Sequence, residues 1–343
     1  MPIEIDNSQT ILLTHTSHQQ KSWQQDLADA VTDPLTLLKL VKLDPQDFAD
    51  PVSAKTLFPM RVPLPFIAKM AQGDPSDPLL LQVLPDQEEF VQAPGYSHDP
   101  LAEQQSELPG LLHKYKSRVL VVFRGGCAVN CRYCFRRHFP YQDNHINQAK
   151  LTDIVAYIRE HPGINEVILS GGDPLMAKDS HIDWFLGQLE AIGHLTRFRI
   201  HTRLPVVIPN RLTHALANRL GQSRLNAVMV LHINHANEID GHLSDALIKF
   251  KQAGVTLLNQ AVLLRGINDG VAQQVALSED LFAAGILPYY LHLLDKVAGA
   301  THFDMAEQEA TAIMAQLLKE LPGFLVPKLV REIGGQPSKT PIY

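Results

Sequence analysis

Short apolar runs alternate with amphipathic segments from Arg118 onward, and this alternation predicts the fold. Six runs rich in β-branched and other apolar residues have the length of buried strands, at 119–123, 166–169, 198–200, 227–231, 255–258 and 287–293. Six segments with helical spacing of apolar residues separate them, at 151–160, 182–192, 211–220, 243–252, 271–283 and 305–318. This order is typical of an α/β protein with a parallel sheet and right-handed crossovers. Six units are too few for a closed eight-stranded barrel, so the pattern predicts an open, partial TIM-type (β/α)6 barrel.

The regions on either side of this barrel have different patterns. Residues 1–117 are expected to form a mostly helical N-terminal region, with helical spacing at 22–31, 35–43 and 63–70 and frequent prolines between. After the barrel, which we assign to 118–320, an apolar strand is predicted at 324–330. It leads into a short Gly- and Pro-rich C-terminal segment within 321–343.

Composition and charge narrow the class of protein. The hydrophobic fraction of 45% is enough for a sizeable core, and the net charge of −6 argues against a nucleic-acid-binding protein. No apolar run approaches the ~18 residues that cross a bilayer. The first residues, Met1 to Asp6, lack the basic and apolar parts of a signal peptide. We therefore expect a cytoplasmic protein without a membrane partner.

All three cysteines of the chain, Cys127, Cys131 and Cys134, lie in one short stretch. An odd number at such close spacing suits disulfides poorly, and thiolates this close need a cation to neutralise them. Zinc usually takes four ligands, and no nearby histidine has the familiar spacing. Three thiolates can instead hold three irons of a four-iron cluster and leave the fourth iron open. A zinc-binding or redox-sensing cluster is the alternative.

Polar residues follow each of the six predicted strands, at the edge where barrel enzymes carry their chemistry. In chain order they are Cys127, Ser170–Asp173, His201–Arg203, His232–His235, Asn259 with Gln260, and His292 with Asp295. One such residue alone is usually a turn residue or a helix cap, as Asp173 could be. All six together predict a ligand site. The glycines before Asp173 would let the backbone approach a ligand, and its carboxylate could accept hydrogen bonds from an ammonium group.

Two groups outside the predicted strands also suggest chemistry. Lys339 lies in the Gly- and Pro-rich ending, and lysines that form Schiff bases are held on short rigid segments of this kind. The group Lys114, Tyr115 and Arg118 precedes the first predicted strand and could clamp a phosphate. The alternatives are a solvated tail lysine and a charged connection.

The CxxxCxxC spacing resembles the signature of the radical SAM enzymes, which bind a [4Fe–4S] cluster and S-adenosyl-L-methionine. The wider set of motifs resembles the lysine 2,3-aminomutases, radical SAM enzymes that also use pyridoxal 5′-phosphate. The resemblance runs from about Leu80 to the C-terminus and includes 99–103, SGGDPL, HTRLPVV, HxNHxNE, NQxVLLRGxND and the GGxxSKTP ending. The chain ends just after Lys339, as in the elongation factor P β-lysylation branch of that family, whereas members that act in free-lysine catabolism are longer.

This resemblance implies a role for each matching residue. Cys127, Cys131 and Cys134 would bind the cluster, and Ser170, Gly171, Gly172, Asp173, His232 and Gln260 would line the S-adenosyl-L-methionine site. Lys114, Tyr115 and Arg118 would hold the phosphate of pyridoxal phosphate, and Lys339 would be the catalytic lysine that binds this cofactor. Arg136 would pair with the substrate carboxylate, and Asp295 with Glu332 would face the substrate side-chain ammonium. Glu332 stands where the family has a second ammonium-binding aspartate.

The implied activity is an isomerase that converts L-lysine into β-lysine by a 2,3-amino shift, for the modification of elongation factor P. Free L-lysine is the expected substrate, because the Arg136 guanidinium matches a free carboxylate, unless that guanidinium pairs with a protein carboxylate instead. The expected partners are a flavodoxin- or ferredoxin-like electron donor, and functionally elongation factor P and its lysine ligase. The alternatives are a radical SAM oxidoreductase without pyridoxal phosphate and a non-enzymatic iron–sulfur interaction module.

Overall fold

A computed structural model describes residues 21–103, 108–141 and 146–343. Their strands form one sheet, in which spatial order follows chain order. The strands are β1 Leu111–Tyr115, β2 Arg118–Arg124, β3 Glu166–Gly171, β4 Arg197–Thr202, β5 Asn226–Leu231, β6 Thr256–Val262, β7 Leu287–His292, β8 Lys328–Arg331 and β9 Thr340–Pro341. Strands β2 to β8 are parallel, and β1 and β9 pair antiparallel at the two edges. The sheet is therefore an open, partial barrel, and the predicted fold class is confirmed.

The helices divide into an N-terminal group and the crossovers of the barrel. The first group is α1 Trp23–Ala28, α2 Pro34–Leu40, α3 Pro51–Ala54 and α4 Leu64–Ile67; the second is α5 Gln148–Glu160, α6 Asp179–Glu190, α7 Leu204–Val207, α8 His214–Gly221, α9 Gly241–Gln252, α10 Val271–Ala283 and α11 Glu307–Glu320. Every pair of consecutive parallel strands is joined through at least one of these crossover helices. Apolar side chains between helices and sheet, such as Phe185, Phe198 and Phe250, are fully buried. Burying them contributes roughly 1.5–3 kcal/mol each relative to exposure.

Some helices begin at a different residue from the predicted one, where the first turn of the helix is polar. Helix α5 begins three residues before the predicted start, because the side chain of Asn147 accepts a hydrogen bond from the Lys150 amide and caps it. The N-terminal helices are shorter than predicted, since the apolar spacing continues past the turns that end them. The run predicted as a strand at 324–330 begins as a 3₁₀ turn, and only residues 328–330 pair with β7. The predicted boundaries between the N-terminal region, the barrel and the C-terminal segment, at residues 118 and 321, stay a prediction.

Strand β1 was missed in the sequence because polar residues interrupt it. Leu111 and Leu112 are buried, whereas His113 is exposed, and the strand pairs with β2 up to Tyr115 and Arg118. An edge strand needs a buried side chain at only some positions, so it lacks the continuous apolar run of a central parallel strand. The predicted phosphate-binding group therefore sits on a hairpin at the edge of the sheet.

The N-terminal region packs over the barrel and holds the cysteine stretch from outside. The fully buried Arg132 donates from Nε to Glu89 Oε1 at 2.7 Å and from Nη1 to the Phe58 carbonyl oxygen at 2.9 Å. Arg137 reaches the same Glu89 carboxylate at 2.6 Å. Residues 1–20, to which the prediction about a signal peptide applies, lie outside the described residues. No helix in the described part of the chain is long and apolar enough to span a membrane.

Candidate active site

A cavity of about 240 Å³ lies at the carboxyl ends of the parallel strands and extends into the barrel. It collects nearly all the residues that the sequence singled out: Tyr115, Arg118, Cys127, Cys131, Cys134, Arg136, Ser170, Gly171, Gly172, Asp173, His232, Gln260, Asp295, Glu332 and Lys339 line it. Lys114 instead lines a smaller pocket that shares Tyr115, Arg118 and Glu332 with the main cavity. The predicted residues therefore form one site, although their individual roles stay predictions.

The cysteine loop is tied to the glycine loop after β3 by backbone hydrogen bonds. The amide of Gly172 donates to the Arg124 carbonyl oxygen at 2.7 Å, and the amide of Asp173 donates to that of Gly126 at 2.9 Å. A Cβ atom on Gly172 would lie 2.5 Å from the Gly126 carbonyl oxygen, and Gly171 has a φ of +112°. Glycine is required at both positions for loop-to-loop packing. This packing role was not recognised in the sequence, which suggested only room for a ligand.

The three thiols are neutral unless a cation joins them. Burial raises the pKa of Cys127, Cys131 and Cys134, to about 11 for Cys134, and neighbouring thiols add to the effect at Cys127 and Cys134. Among the described residues, no three or more Cys, His, Asp or Glu side chains lie close enough to bind one metal ion. A four-iron cluster binds each thiolate at a different iron, so these cysteines fit it.

Asp173 acts as a cap in this structure. Its carboxylate accepts hydrogen bonds from Thr202 Oγ1 at 2.7 Å, the amides of Arg203 and Leu204 at 2.8 Å each, and the Leu175 amide at 3.0 Å. Burial raises its pKa, and these donors oppose that rise. The capping alternative therefore accounts for its contacts. A role toward an ammonium group stays a prediction.

His232 lies on the same wall of the cavity as a neutral side chain. Burial and the nearby Arg203 lower its pKa to about 3. Its Nε2 lies 3.2 Å from the Tyr133 hydroxyl, which accepts from Asn234 Nδ2 at 2.7 Å. The ring is thus fixed in orientation by a buried polar network, and a fixed neutral ring can pack against or hydrogen-bond an uncharged part of a ligand.

Arg136 is already paired with a protein carboxylate. It donates from Nε to Glu103 Oε2 at 2.6 Å and from Nη2 to Glu103 Oε1 at 3.1 Å, and both side chains are buried. Lys114 Nζ lies 2.9 Å from the same carboxylate. These cations lower the pKa of Glu103 against the opposing effect of burial. Glu103 was not predicted as a site residue, although it ends the 99–103 motif. The signal in the sequence was an acidic residue shortly before the cationic group that contains Lys114 and Arg118.

A second charged group surrounds Lys339. Its Nζ forms an ion pair with Glu332, whose other oxygen accepts from the Tyr115 hydroxyl at 2.9 Å. Lys339 and Lys114 lower the pKa of Glu332, although burial opposes them. The Arg118 guanidinium lies 4.0 Å above the Tyr115 ring and has no carboxylate partner in the described part of the chain. The residues that line the two cavities include six cations and four carboxyl groups: Lys114, Arg118, Arg136, Arg199, Arg203 and Lys339, with Glu103, Asp173, Asp295 and Glu332. The site therefore suits an anionic ligand.

Five buried polar atoms of cavity-lining residues have no hydrogen-bond partner among the described residues. They are Asp295 Oδ1, His201 Nε2, His292 Nε2, and Nε and Nη1 of Arg203. Burial, with the nearby Glu332, raises the pKa of Asp295 to about 7, and burial lowers the pKa of both histidines. Buried polar atoms are rarely left unpaired, so these atoms indicate a bound group that would pair with them. His201 and His292 were not predicted as site residues, although both stood at strand ends.

Comparison with known proteins gives consistent matches. The family described as Radical SAM superfamily matches residues 121–276. The chain is 54% identical over 332 residues to L-lysine 2,3-aminomutase of Escherichia coli (strain K12), which is 96% of this chain and 97% of that protein. The protein of the same name from Haemophilus influenzae is 52% identical over 94% of this chain and 96% of its own length. The protein of the same name from Clostridium subterminale is 35% identical over 81% of this chain and 67% of its own length.

Among solved structures, a radical SAM methyltransferase from Sphaerobacter thermophilus aligns with 66% of this chain and 72% of its own. The TM-score is 0.47 and the sequence identity is 15%. Native anSMEcpe with bound AdoMet aligns with 60% of this chain and 59% of its own, with a TM-score of 0.45 and 13% identity.

The partial barrel with its three-cysteine loop, together with the superfamily match, defines a radical SAM protein. More narrowly, the identity of 54% over nearly the full length of the E. coli protein shows that the chain belongs to the L-lysine 2,3-aminomutase family. The predicted family and the predicted isomerase class are confirmed.

Proposed function

We propose that this enzyme converts free L-lysine into β-lysine by a 2,3-amino shift inside the barrel cavity. The observation that carries the proposal is that one cavity is lined by both the cysteine loop and Lys339. These groups have different chemistries, since three thiolates suit a cluster with an open iron and a lysine amine suits a carbonyl cofactor. The names of the relatives agree with this reaction.

Two sets of residues would hold the cofactors. Cys127, Cys131 and Cys134 would bind a [4Fe–4S] cluster, and the wall formed by 170–173, His232 and Gln260 would receive S-adenosyl-L-methionine. Pyridoxal phosphate would bind Lys339, with its phosphate near Lys114, Tyr115 and Arg118. The neutral buried thiols support the first assignment, and the cationic excess with the unpaired Arg118 guanidinium supports the second.

When bound, these groups would supply radical chemistry at C3 of lysine and a pyridoxal ring able to carry the migrating nitrogen. The chain itself positions the substrate and excludes water. Lys339 would bind the carbonyl group of pyridoxal phosphate, and its ion-pair partner Glu332 would accept a hydrogen bond from the substrate ammonium.

Asp295 and Arg136 would orient the two ends of lysine. Asp295 Oδ1 has no partner among the described residues, and an arriving ammonium group would lower its raised pKa and keep it ionised. The Arg136 guanidinium is shared with Glu103, and Nη2 carries a second proton that a substrate carboxylate can accept. Arg136→Gln should therefore raise the KM for lysine steeply and leave the iron–sulfur spectrum unchanged.

The proposal is tested by anaerobic incubation of the reconstituted enzyme with L-lysine, S-adenosyl-L-methionine, pyridoxal phosphate and dithionite. We expect β-lysine, identified by mass spectrometry and NMR. Lys339→Ala should abolish the product, whereas Lys328→Ala, which alters an exposed lysine on β8, should retain it. Cleavage of S-adenosyl-L-methionine without any β-lysine would contradict the proposal, as would borohydride labelling of Lys328 in place of Lys339.

The product would serve the post-translational modification of elongation factor P, attached by its lysine ligase, in the reducing cytoplasm. The resemblance to the β-lysylation branch supports this role. A lysyl group already joined to a protein has no free carboxylate, so it would lose the charge that Arg136 recognises. Wild-type enzyme should therefore act on free lysine in preference to lysylated elongation factor P, and faster turnover of the lysylated protein would contradict this order.

A further inference from the structure

The outer side of the cysteine loop is thinly covered. Gly125 and Gly126 are exposed, and a Cβ atom on Gly126 would meet no atom within 4 Å among the described residues, whereas one on Gly125 would lie 2.9 Å from Tyr141 Cβ. Cys127, the first cysteine of the cluster motif, follows directly. We call this surface the loop face and define it by Arg61, Arg124–Gly126, Lys178 and His181. A cluster held by this loop would lie just beneath two residues without side chains. The loop face therefore offers a short path for an electron to reach the cluster.

The loop face carries an excess of positive charge. Arg61 Nη1 donates to the Cys127 carbonyl oxygen at 3.3 Å, and Arg124 Nη2 lies 3.2 Å from His181 Nδ1. Lys178 is exposed at the start of α6, one turn before His181. None of Arg61, Arg124 and Lys178 has a carboxylate partner in the ranges that the structure describes.

The acidic residue that follows Lys178 in the chain does not cancel this charge. Asp179 follows Lys178, but its carboxylate lies 2.6 Å from Nη2 of the buried Arg211 and is neutralised by it. The chain as a whole has a net charge of −6, so a local group of three unpaired cations departs from the average of the surface. Such a group attracts a negatively charged protein and raises its rate of association.

The proposed function requires a reduced cluster, and the cavity side is not available for the reductant because substrate and cofactors would fill it. We propose that the loop face docks an acidic one-electron carrier protein with a flavin or iron–sulfur centre. The reduced carrier loses one electron and the oxidised cluster gains it, without transfer of a proton or a bond. The inference rests on the proposed function only in requiring the cluster.

The test measures cluster reduction itself by anaerobic stopped-flow absorbance. Oxidised, reconstituted enzyme is mixed with flavodoxin hydroquinone at low ionic strength. We expect the double variant Arg124→Gln/Lys178→Glu to lower the second-order rate constant by about tenfold, since charged patches of this kind speed association by 10-fold or more. The wild-type rate should fall as salt is added, and that of the double variant should depend on salt much less. Reduction by dithionite should be unchanged.

The control is Lys319→Glu, which makes the same charge change as Lys178→Glu at an exposed position on α11. It should leave flavodoxin-driven reduction at the wild-type rate. Equal slowing by Lys319→Glu, a wild-type rate for the double variant, or a dithionite rate that falls together with the flavodoxin rate would each overturn the docking site. A failure to form β-lysine would instead count against the proposed function, because the docking test does not require that product.

Discussion

The two halves of the cavity are built in different ways. In the cysteine half, neighbouring parallel strands bring two loops together, and backbone hydrogen bonds from Gly172 and Asp173 lock them. In the lysine half, side chains distant in the sequence meet at the sheet edges, as Tyr115 and Glu332 do across 217 positions. The first half therefore depends on backbone shape. The second depends on the balance of charges, so stability and ligand binding in that half should respond to the loss of a single charge and to pH.

The largest expected effect separates the two halves completely. Cys134→Ala should remove the open-iron cluster and all cleavage of S-adenosyl-L-methionine, yet leave the binding of pyridoxal phosphate at Lys339. Lys339→Ala should remove the binding of pyridoxal phosphate at this position, yet leave the cluster and the cleavage of S-adenosyl-L-methionine. Ultraviolet–visible spectra of the reconstituted proteins and a 5′-deoxyadenosine assay measure both. Loss of both cofactors in either variant would show that the halves are not independent.

A change of backbone shape should damage the cysteine half strongly. Gly172→Ala places a Cβ atom 2.5 Å from the Gly126 carbonyl oxygen, so the two loops must separate. We expect a loss of about 1–3 kcal/mol in the free energy of unfolding and a clear loss of bound iron. Gly187→Ala is the control, because a Cβ atom there meets nothing within 4 Å among the described residues and α6 gains a better helix former. Iron content that survives Gly172→Ala intact would contradict this account.

A change of one buried charge should damage the lysine half. Glu103→Gln leaves Arg136 buried without its counter-ion, which costs about 3 kcal/mol in unfolding free energy. The same change at Glu309, whose pair with Arg265 is about half exposed, should cost less than about 1 kcal/mol. Denaturant unfolding of both variants gives the comparison. Equal losses would mean that burial does not determine the strength of the Glu103 pair.

The smallest effect is a pH dependence of lysine binding. The pKa of Asp295 is raised to about 7 by burial and by Glu332, so its carboxyl group is neutral below that pH and ionised above it. The KM for lysine should fall about tenfold between roughly pH 6 and pH 8 as the carboxylate forms. The raised pKa of Asp295 also makes the free energy of unfolding fall as the pH rises from about 4 to 7, because over this range the folded protein keeps a proton on Asp295 that the unfolded chain releases. Asp295→Asn should remove both dependences, and an unchanged KM profile would exclude Asp295 from lysine binding.

Much of the barrel was predictable because burial on both faces leaves continuous apolar runs. The strands β2 to β7 and the helices between them, apart from the short α7, which was not predicted, lie where the periodicity indicated, to within a few residues. Membership of the cavity was also predictable, because the carboxyl ends of parallel strands meet at one edge, as Cys127, Asp173, His232 and Asp295 do.

The pairings within the site could not be predicted, because they join elements that the sequence does not order in space. Sequence analysis named Arg136, Glu332 and Lys339, but not that Arg136 pairs with Glu103 or that Glu332 pairs with Lys339. Strand β1 was missed for a related reason, since an edge strand with His113 and Lys114 lacks the periodicity of a buried one. The packing of Gly172 against Gly126 depends on how two loops approach, which no local pattern encodes.

The two antiparallel edge strands also bear on solubility. An open parallel sheet exposes backbone donors and acceptors at both sides, and these can recruit strands from other molecules. Here one side ends in β1 with its polar His113 and Lys114, and the other in the two-residue β9, in which Pro341 has no amide proton to donate. The residues that terminate the sheet thus lie next to those assigned to pyridoxal phosphate. Substitutions in these strands should therefore be screened for aggregation as well as for activity.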